Sequence, residues 1–230
     1  MKTRVLHTST FVGDAVAIIH DAALEAIAER GIFRLSLCGG NTPKPVYAGL
    51  AKSTDIPWEK VQLTFGDERC VPPDHDQSNY LMAKHTLLDA AHIPEGNVFR
   101  IRGEIDPETA SLEYEHKLAQ VASRFGEERY AHDLLLLGLG EDGHTASIFP
   151  GSPALDEKVR NVIPATGPKP PPQRITFTLP LINAARHVCF LVNDPAKEAM
   201  INEVIAGDLS RPAAHVKPAS GHLTWLLGSK

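Results

Sequence analysis

The spacing of apolar residues changes between a helical and a strand-like pattern along the chain. DAVAIIHDAALEAIAERG has apolar residues at helical spacing and ends at Gly31, which predicts a helix. DPETASLEYEHKLAQVASRFG, SNYLMAKHTLLDA and the segment from about Pro195 to Ala206 predict three more helices. Short runs rich in apolar residues lie between the helices and predict strands: FRLSLC, VQLTFGDER, Asp133 to Leu137, VRNVIPA, RITFTL and HVCFLV.

The alternation of strands and helices predicts an α/β fold. No repeat and no long low-complexity linker interrupts it, so we expect one domain over residues 1–230. Its sheet should be doubly wound and largely parallel, with helices on both faces. Ligands of such sheets bind beyond the carboxyl ends of the strands. Four predicted strands end in polar or glycine-bearing segments, which we expect to converge on one crevice: CGGNTP, GDER, GLGEDGHT and NDPAK.

Composition and charge narrow the possible partners. The chain of 230 residues is 43% hydrophobic and 22% charged, an ordinary balance for a soluble globular protein. A net charge of -5 gives no general attraction to nucleic acid or to anionic membranes, so an anionic ligand must be met by local cations. Three scattered cysteines, with no signal peptide or membrane-spanning segment, predict a cytoplasmic protein. We favour a monomer.

The segment LLLLGLGEDGHTASIFPG, residues 134–151, partly matches two nucleotide-binding patterns. A dinucleotide site needs a long helix after the third glycine. Here Pro150, Gly151 and Pro153 allow only a turn or two of helix. A P-loop needs lysine where the chain has His144, and Glu141 and Asp142 place negative charge where phosphates would lie. A histidine beside a carboxylate is better suited to acid–base chemistry. The alternative is a tight turn in which His144 only caps the next helix.

Other strand exits carry candidate anion ligands. The turn formed by Gly39, Gly40, Asn41 and Thr42 enters a helix and could bind an anion through backbone N–H groups, or it is an ordinary turn capped by Thr42. Arg69 could contact a phosphate and Asp67 could accept hydrogen bonds from sugar hydroxyls. Arg174 and Lys197 are two more candidate cations, although any of these charges could simply be solvated.

Metal and serine-hydrolase chemistry have little support in the sequence. His75 in PDHDQ resembles a metal ligand, but one such histidine is a weak signal. The chain contains neither HExxH nor G-x-S-x-G. We therefore expect no metal site.

Four segments in order resemble the 6-phosphogluconolactonase family: LSLCGGNTPKPVYAGLA, TFGDERCVPPDHDQSNYLMAKHTLL, DLLLLGLGEDGHTASIFPGSPAL and RITFTLPLIN. The likeness continues through HVCFLVNDPAK and VKPASGHLTWLL, and DGHTASIFPG is its most specific part. One departure is Asn41, where many relatives have serine. The resemblance implies the fold shared with glucosamine-6-phosphate deaminases. It also implies hydrolysis of 6-phospho-D-glucono-1,5-lactone without a metal or organic cofactor.

The resemblance gives the candidate residues specific expected roles. His144 is the expected general base, because an ordinary imidazole with a pKa near 6.5 is mostly neutral at pH 7. Glu141 or Asp142 would orient it, and the sequence leaves that choice open. The phosphate is expected against the turn from Gly39 to Thr42, near Arg69, Arg174 and Lys197. Asp67 is expected to bind sugar hydroxyls or to position a cation. The alternatives are a glucosamine-6-phosphate deaminase and a non-catalytic sugar-phosphate sensor.

Overall fold

The computed structural model describes residues 2–219 and 221–229. Within these residues the strands β1 to β9 are Lys2–Thr8, Phe33–Leu37, Val61–Phe65, Asp67–Arg69, Leu134–Leu137, Val162–Thr166, Gln173–Phe177, His187–Val192 and His222–Gly228. The helices α1 to α8 are Phe11–Arg30, Pro43–Leu50, Asn79–Ala83, Asp89–Ala91, Pro107–Arg124, Pro153–Asp156, Leu179–Asn183 and Glu198–Ile205. One π-helical segment, Lys84–Leu88, joins α3 to α4.

Six strands form a parallel sheet in the order β1-β9-β8-β5-β2-β3. Every residue of the central strands β2 and β5 and of the edge strand β3 is buried, because both faces of the sheet are covered at these strands. From β2 the chain first adds β3 on one side and later adds β5 on the other. The order of strands therefore reverses between β2 and β5, the position at which ligands bind in such sheets. The predicted α/β fold class is confirmed.

A second sheet of three antiparallel strands, in the order β4-β7-β6, was not predicted. The segments VRNVIPA and RITFTL form strands as predicted, β6 and β7, but these strands belong to the second sheet and not to the parallel one. The predicted strand VQLTFGDER also divides at Gly66. The N–H of Gly66 donates to Leu37 O at 3.0 Å and its carbonyl accepts from Phe177 N at 2.8 Å. Gly66 thus bonds to both sheets. Asp67, predicted at a strand exit, lies instead in β4.

The strands at the two ends of the chain, β1 and β9, lie side by side and were also not predicted. Most residues of β1 are exposed, since it is an edge strand with a partner on one side only. Its sequence KTRVLHT lacks the apolar run that indicated the central strands. Strand β9 is buried between β1 and β8.

The helix boundaries follow local signals in the sequence. Helix α1 ends at Gly31, whose left-handed backbone (φ 76°) lets its N–H donate to Ile27 O, as predicted. Helix α2 begins at Pro43 as predicted, but Thr42 has helical dihedral angles and makes no capping hydrogen bond through its side chain. The prediction of Thr42 as a cap is therefore wrong. None of the helices within the described residues is long and apolar enough to cross a membrane.

Candidate active site

Direct contacts link the strand exits around the β2–β5 crevice. Lys197 Nζ, after β8, donates to Leu139 O, after β5, at 2.6 Å. Asn79 Nδ2 donates to Asp67 O at 2.9 Å. Gly39, after β2, approaches the same amide so closely that a Cβ there would lie 2.1 Å from Asn79 Oδ1. Lys197 thus links the segments after β5 and β8, and Asn79 contacts both the segment after β2 and Asp67 of β4.

His144 and Asp142 form a hydrogen-bonded pair in the loop after β5. His144 Nδ1 lies 2.6 Å from Asp142 Oδ1, which also accepts from the His144 backbone N–H at 3.1 Å. Partial burial raises the pKa of the Asp142 carboxyl, but these two hydrogen bonds outweigh it and hold the pKa below its ordinary value. The His144 side chain is 33% exposed, so solvent and a substrate can reach it. Asp142 is thus a carboxylate at neutral pH, placed to orient the imidazole.

The structure distinguishes between the two candidate carboxylates of this loop. Asp142 contacts His144, whereas Glu141 is exposed. Adjacent residues of a turn point in different directions, and the sequence alone left both choices open. Asp142 is therefore the candidate for orienting His144, and Glu141 is not.

Two of the three glycines that suggested a nucleotide loop, Gly140 and Gly143, pack closely against neighbouring groups. A Cβ at Gly140 would lie 2.0 Å from His144 Nδ1. Gly143 has a positive φ of 83°, and a Cβ there would lie 2.9 Å from Arg211 Cβ. The next α-helix in the described part of the chain begins only at Pro153. His144 therefore does not cap a helix, and the alternative of a capped strand-to-helix turn is wrong.

Arg69 and Arg174 are neighbours on adjacent strands of the second sheet, where they are cross-strand partners of β4 and β7. Burial and the nearby Arg69 charge lower the pKa of Arg174 below its ordinary value. Their observed side-chain hydrogen bonds go to backbone carbonyls, from Arg69 Nη1 to Gln77 O at 2.7 Å and from Arg174 Nη2 to Lys169 O at 3.3 Å. Two guanidinium groups held together in this way favour an anion between them.

Phe149 packs against His144 and lies near Arg174. Its ring centroid is 4.6 Å from that of His144. A Cβ on Gly167 would lie 3.2 Å from both Phe149 Cζ and Arg174 Nε. The His144 imidazole and the Arg174 guanidinium therefore both lie near the Phe149 ring.

Asp67 is held by two side chains that the sequence did not indicate. Ser147 Oγ donates to Asp67 Oδ2 at 2.6 Å, and Asn79 Nδ2 lies 3.2 Å from Asp67 Oδ1. Phe149, Ser147 and Asn79 are all missing from the predicted set of site residues. Ser147 and Phe149 lie in the family-like segment DGHTASIFPG, but the resemblance gave neither residue a role. Asn79 lies at the start of a predicted helix, a position too common to indicate a site.

The turn from Gly39 to Thr42 lies at the amino end of α2. Gly40 has a positive φ of 95°, which favours glycine at this position. Gly40 and Asn41 are exposed and Gly39 and Thr42 are half-buried, so a ligand can approach the turn. Lys197 has one of its three donors bonded to Leu139 O and two left for a ligand.

The residues described by the structure contain no cluster of three or more histidine, cysteine, aspartate or glutamate side chains arranged to hold a metal ion. His75, the residue that resembled a ligand in the sequence, accepts a hydrogen bond from Gln77 N at 3.1 Å through Nδ1. Its bond is a local contact within the loop.

Comparison with known proteins gives a uniform result. The family model described as glucosamine-6-phosphate isomerases/6-phosphogluconolactonase matches residues 7–225. The chain is 41% identical to 6-phosphogluconolactonase of Synechocystis sp., covering 97% of this chain and 93% of that protein. It is 38% identical to 6-phosphogluconolactonase of Homo sapiens, covering 97% and 89%.

A solved structure gives the same answer. The crystal structure of 6-phosphogluconolactonase from Thermotoga maritima is similar with a TM-score of 0.89 and 30% identity, covering 99% of this chain and all of that one. The resemblance seen in the sequence motifs is confirmed over nearly the whole length. The chain belongs to the family of glucosamine-6-phosphate isomerases and 6-phosphogluconolactonases.

Proposed function

We propose that this chain hydrolyses 6-phospho-D-glucono-1,5-lactone to 6-phosphogluconate in the pentose phosphate pathway, with His144 as the general base. The observation that supports this role is the 2.6 Å contact between His144 Nδ1 and Asp142 Oδ1. A carboxylate can only accept a hydrogen bond, so in the neutral ring Nδ1 carries the proton and Nε2 has a free lone pair. That lone pair can accept a proton from water.

The chemistry of a lactone requires little more than a base and a correctly held substrate. Water attacks the lactone carbonyl while Nε2 of His144 takes its proton, and the carbonyl oxygen becomes an oxyanion in the tetrahedral intermediate. When the ring C–O bond breaks, the imidazolium returns the proton to the leaving ring oxygen. Asp142 stabilises the imidazolium during this interval, because it remains ionised and bonded to Nδ1.

The arginine pair of the second sheet fits the phosphate of the substrate. Arg69 and Arg174 are cross-strand neighbours, and no residue of the described chain forms an ion pair with either guanidinium. A dianionic phosphate would relieve the repulsion between them through charge-assisted hydrogen bonds. The turn from Gly39 to Thr42 and the two remaining donors of Lys197 would complete the phosphate-binding site. Asp67 would accept hydrogen bonds from sugar hydroxyls.

The family also contains glucosamine-6-phosphate isomerases, which makes deamination the second candidate reaction. Deaminases of this fold typically read GHIAFNEP where this chain reads GHTASIFP, so the glutamate of that motif is absent. The relatives at 38% and 41% identity are both named 6-phosphogluconolactonase. A non-catalytic sensor would need the phosphate grip but not the His144–Asp142 pair. Lactone hydrolysis is the reaction that uses all of these features.

The test is an assay on freshly prepared 6-phospho-D-glucono-1,5-lactone, with spontaneous hydrolysis measured in parallel. We expect the purified protein to increase the rate well above that background and to release no ammonia from glucosamine 6-phosphate. Ammonia release would favour the deaminase, and binding without turnover would favour the sensor.

We further propose that the chain acts as a monomer in the cytoplasm. The three cysteines are free in the structure, which suits a reducing compartment. Sedimentation of the purified protein would test the monomer, and fractionation of cells would test the location.

A further inference from the structure

We propose that Ser147 is a positioning residue of this site: it orients the Asp67 carboxylate and fixes the second sheet, with its arginine pair, relative to His144. The inference rests on the proposed lactonase function. Ser147 itself is buried, with 2% of its surface exposed, so it acts through Asp67 and not by touching the substrate.

The hydroxyl and the backbone N–H of Ser147 bind the two members of one cross-strand pair of the second sheet. Its Oγ donates to Asp67 Oδ2 at 2.6 Å, and its backbone N–H donates to Thr176 Oγ1 at 3.1 Å. Asp67 and Thr176 are directly paired in the register of β4 and β7. Arg69 and Arg174 form the next pair but one along the same two strands. Ser147 thus attaches the segment that follows His144 to the strands that carry the arginines.

The backbone around Ser147 is shaped to make this contact. Residues 145–148 form a tight turn, in which Ile148 N donates to Thr145 O at 2.9 Å. Ala146 adopts a positive φ of 47°, a region that residues with a Cβ rarely occupy. Thr145 Oγ1 anchors the turn to Gly138 O at 2.9 Å. The strained turn begins directly after His144 and directs Ser147 toward Asp67.

The geometry of Asp67 explains why its orientation matters. One carboxylate oxygen accepts from Ser147 and the other lies 3.2 Å from Asn79 Nδ2. A carboxylate has about four lone-pair sites, so about two remain for substrate hydroxyls. Asp67 and Arg69 are two residues apart on β4, so their side chains lie on the same face of the second sheet. Without the Ser147 hydroxyl the carboxylate can rotate, and its remaining lone pairs no longer have a fixed direction.

Ser147→Ala tests the inference, and Ser152→Ala is its matched control. A hydrogen bond to a charged group is worth about 1.5–3 kcal/mol, so Ser147→Ala should raise KM about tenfold or more and change kcat much less. Ser152 is five residues away, and its Oγ is buried without a hydrogen-bond partner in the described structure. Its replacement removes a hydroxyl but no bond, so KM should stay at the wild-type value. Ser147→Cys, which substitutes a weak donor, should raise KM like Ser147→Ala.

A double-mutant cycle with Asp67→Ala decides whether Ser147 acts through Asp67. In the Asp67→Ala background, Ser147→Ala should cause no further loss of kcat/KM. The inference is overturned if Ser147→Ala lowers kcat/KM by the same factor in both backgrounds, or if KM is unchanged in the single variant. Either result in an active wild-type enzyme leaves the proposed function intact, whereas an inactive wild type would refute the function itself.

Discussion

A methyl group at Gly140 should disrupt the His144–Asp142 pair without unfolding the protein. The Cβ of alanine at this position would lie 2.0 Å from His144 Nδ1 and 2.8 Å from Asp142 Oδ1. Carbon atoms do not approach nitrogen closer than about 3 Å, so the imidazole must move by about 1 Å or leave the pair. A displacement of about 1 Å in a catalytic group costs about a hundredfold in rate. We therefore expect Gly140→Ala to lower kcat by about that factor.

The stability of the variant should change little, because the clash can be relieved at the surface. The His144 side chain is 33% exposed and can swing into solvent. Gly138→Ala is the matched control in the same loop, since a Cβ there meets no atom of the described structure within 4 Å. Steady-state lactonase kinetics and thermal melting of both variants provide the measurement. A Gly140→Ala enzyme with wild-type kcat, or a Gly138→Ala enzyme that loses activity equally, would refute this reasoning.

Three further predictions concern the phosphate grip, the orienting carboxylate and the core. Arg69→Ala and Arg174→Ala should each raise KM for the phosphorylated lactone about tenfold to a hundredfold, and should affect the dephosphorylated lactone far less; equal losses on both substrates would contradict a phosphate contact. Asp142→Asn should lower kcat on the order of a hundredfold with little change in KM, since a neutral amide does not stabilise an imidazolium; an unchanged kcat would contradict the orienting role. Burial lowers the pKa of His132 to about 3, so below pH 6.5 the unfolded chain binds a proton that the folded chain does not. This histidine alone should reduce the free energy of unfolding by about 2 kcal/mol between pH 7 and pH 5. In urea unfolding, the free energy of unfolding of His132→Asn should therefore depend less on pH than that of the wild type. An equal pH dependence would contradict the assignment.

Features set by neighbouring residues could be predicted from the sequence. The end of α1 at Gly31 follows from one glycine at the close of an apolar helical pattern. The pairing of His144 with a carboxylate of its own loop also needs only local geometry. The sequence does not specify whether the Asp142 or the Glu141 side chain points toward the imidazole. The parallel direction of the central strands follows from the alternation of helices and strands.

Features that depend on distant contacts could not be predicted. Ser147 and Asp67 are 80 residues apart, and no local pattern indicates that they meet. The second sheet was missed because β6 and β7 have the same apolar runs as strands of the parallel sheet, and periodicity does not specify which strand pairs with which. Strand β1 was missed because an exposed edge strand needs few apolar residues.

The role of His144 is tested most directly by kcat and KM of His144→Ala on 6-phospho-D-glucono-1,5-lactone, with spontaneous hydrolysis subtracted and the fold of the variant verified by circular dichroism. If His144 removes a proton from the attacking water, kcat should fall about a hundredfold or more while KM changes little. A folded His144→Ala enzyme that retains the wild-type kcat would contradict the proposed mechanism.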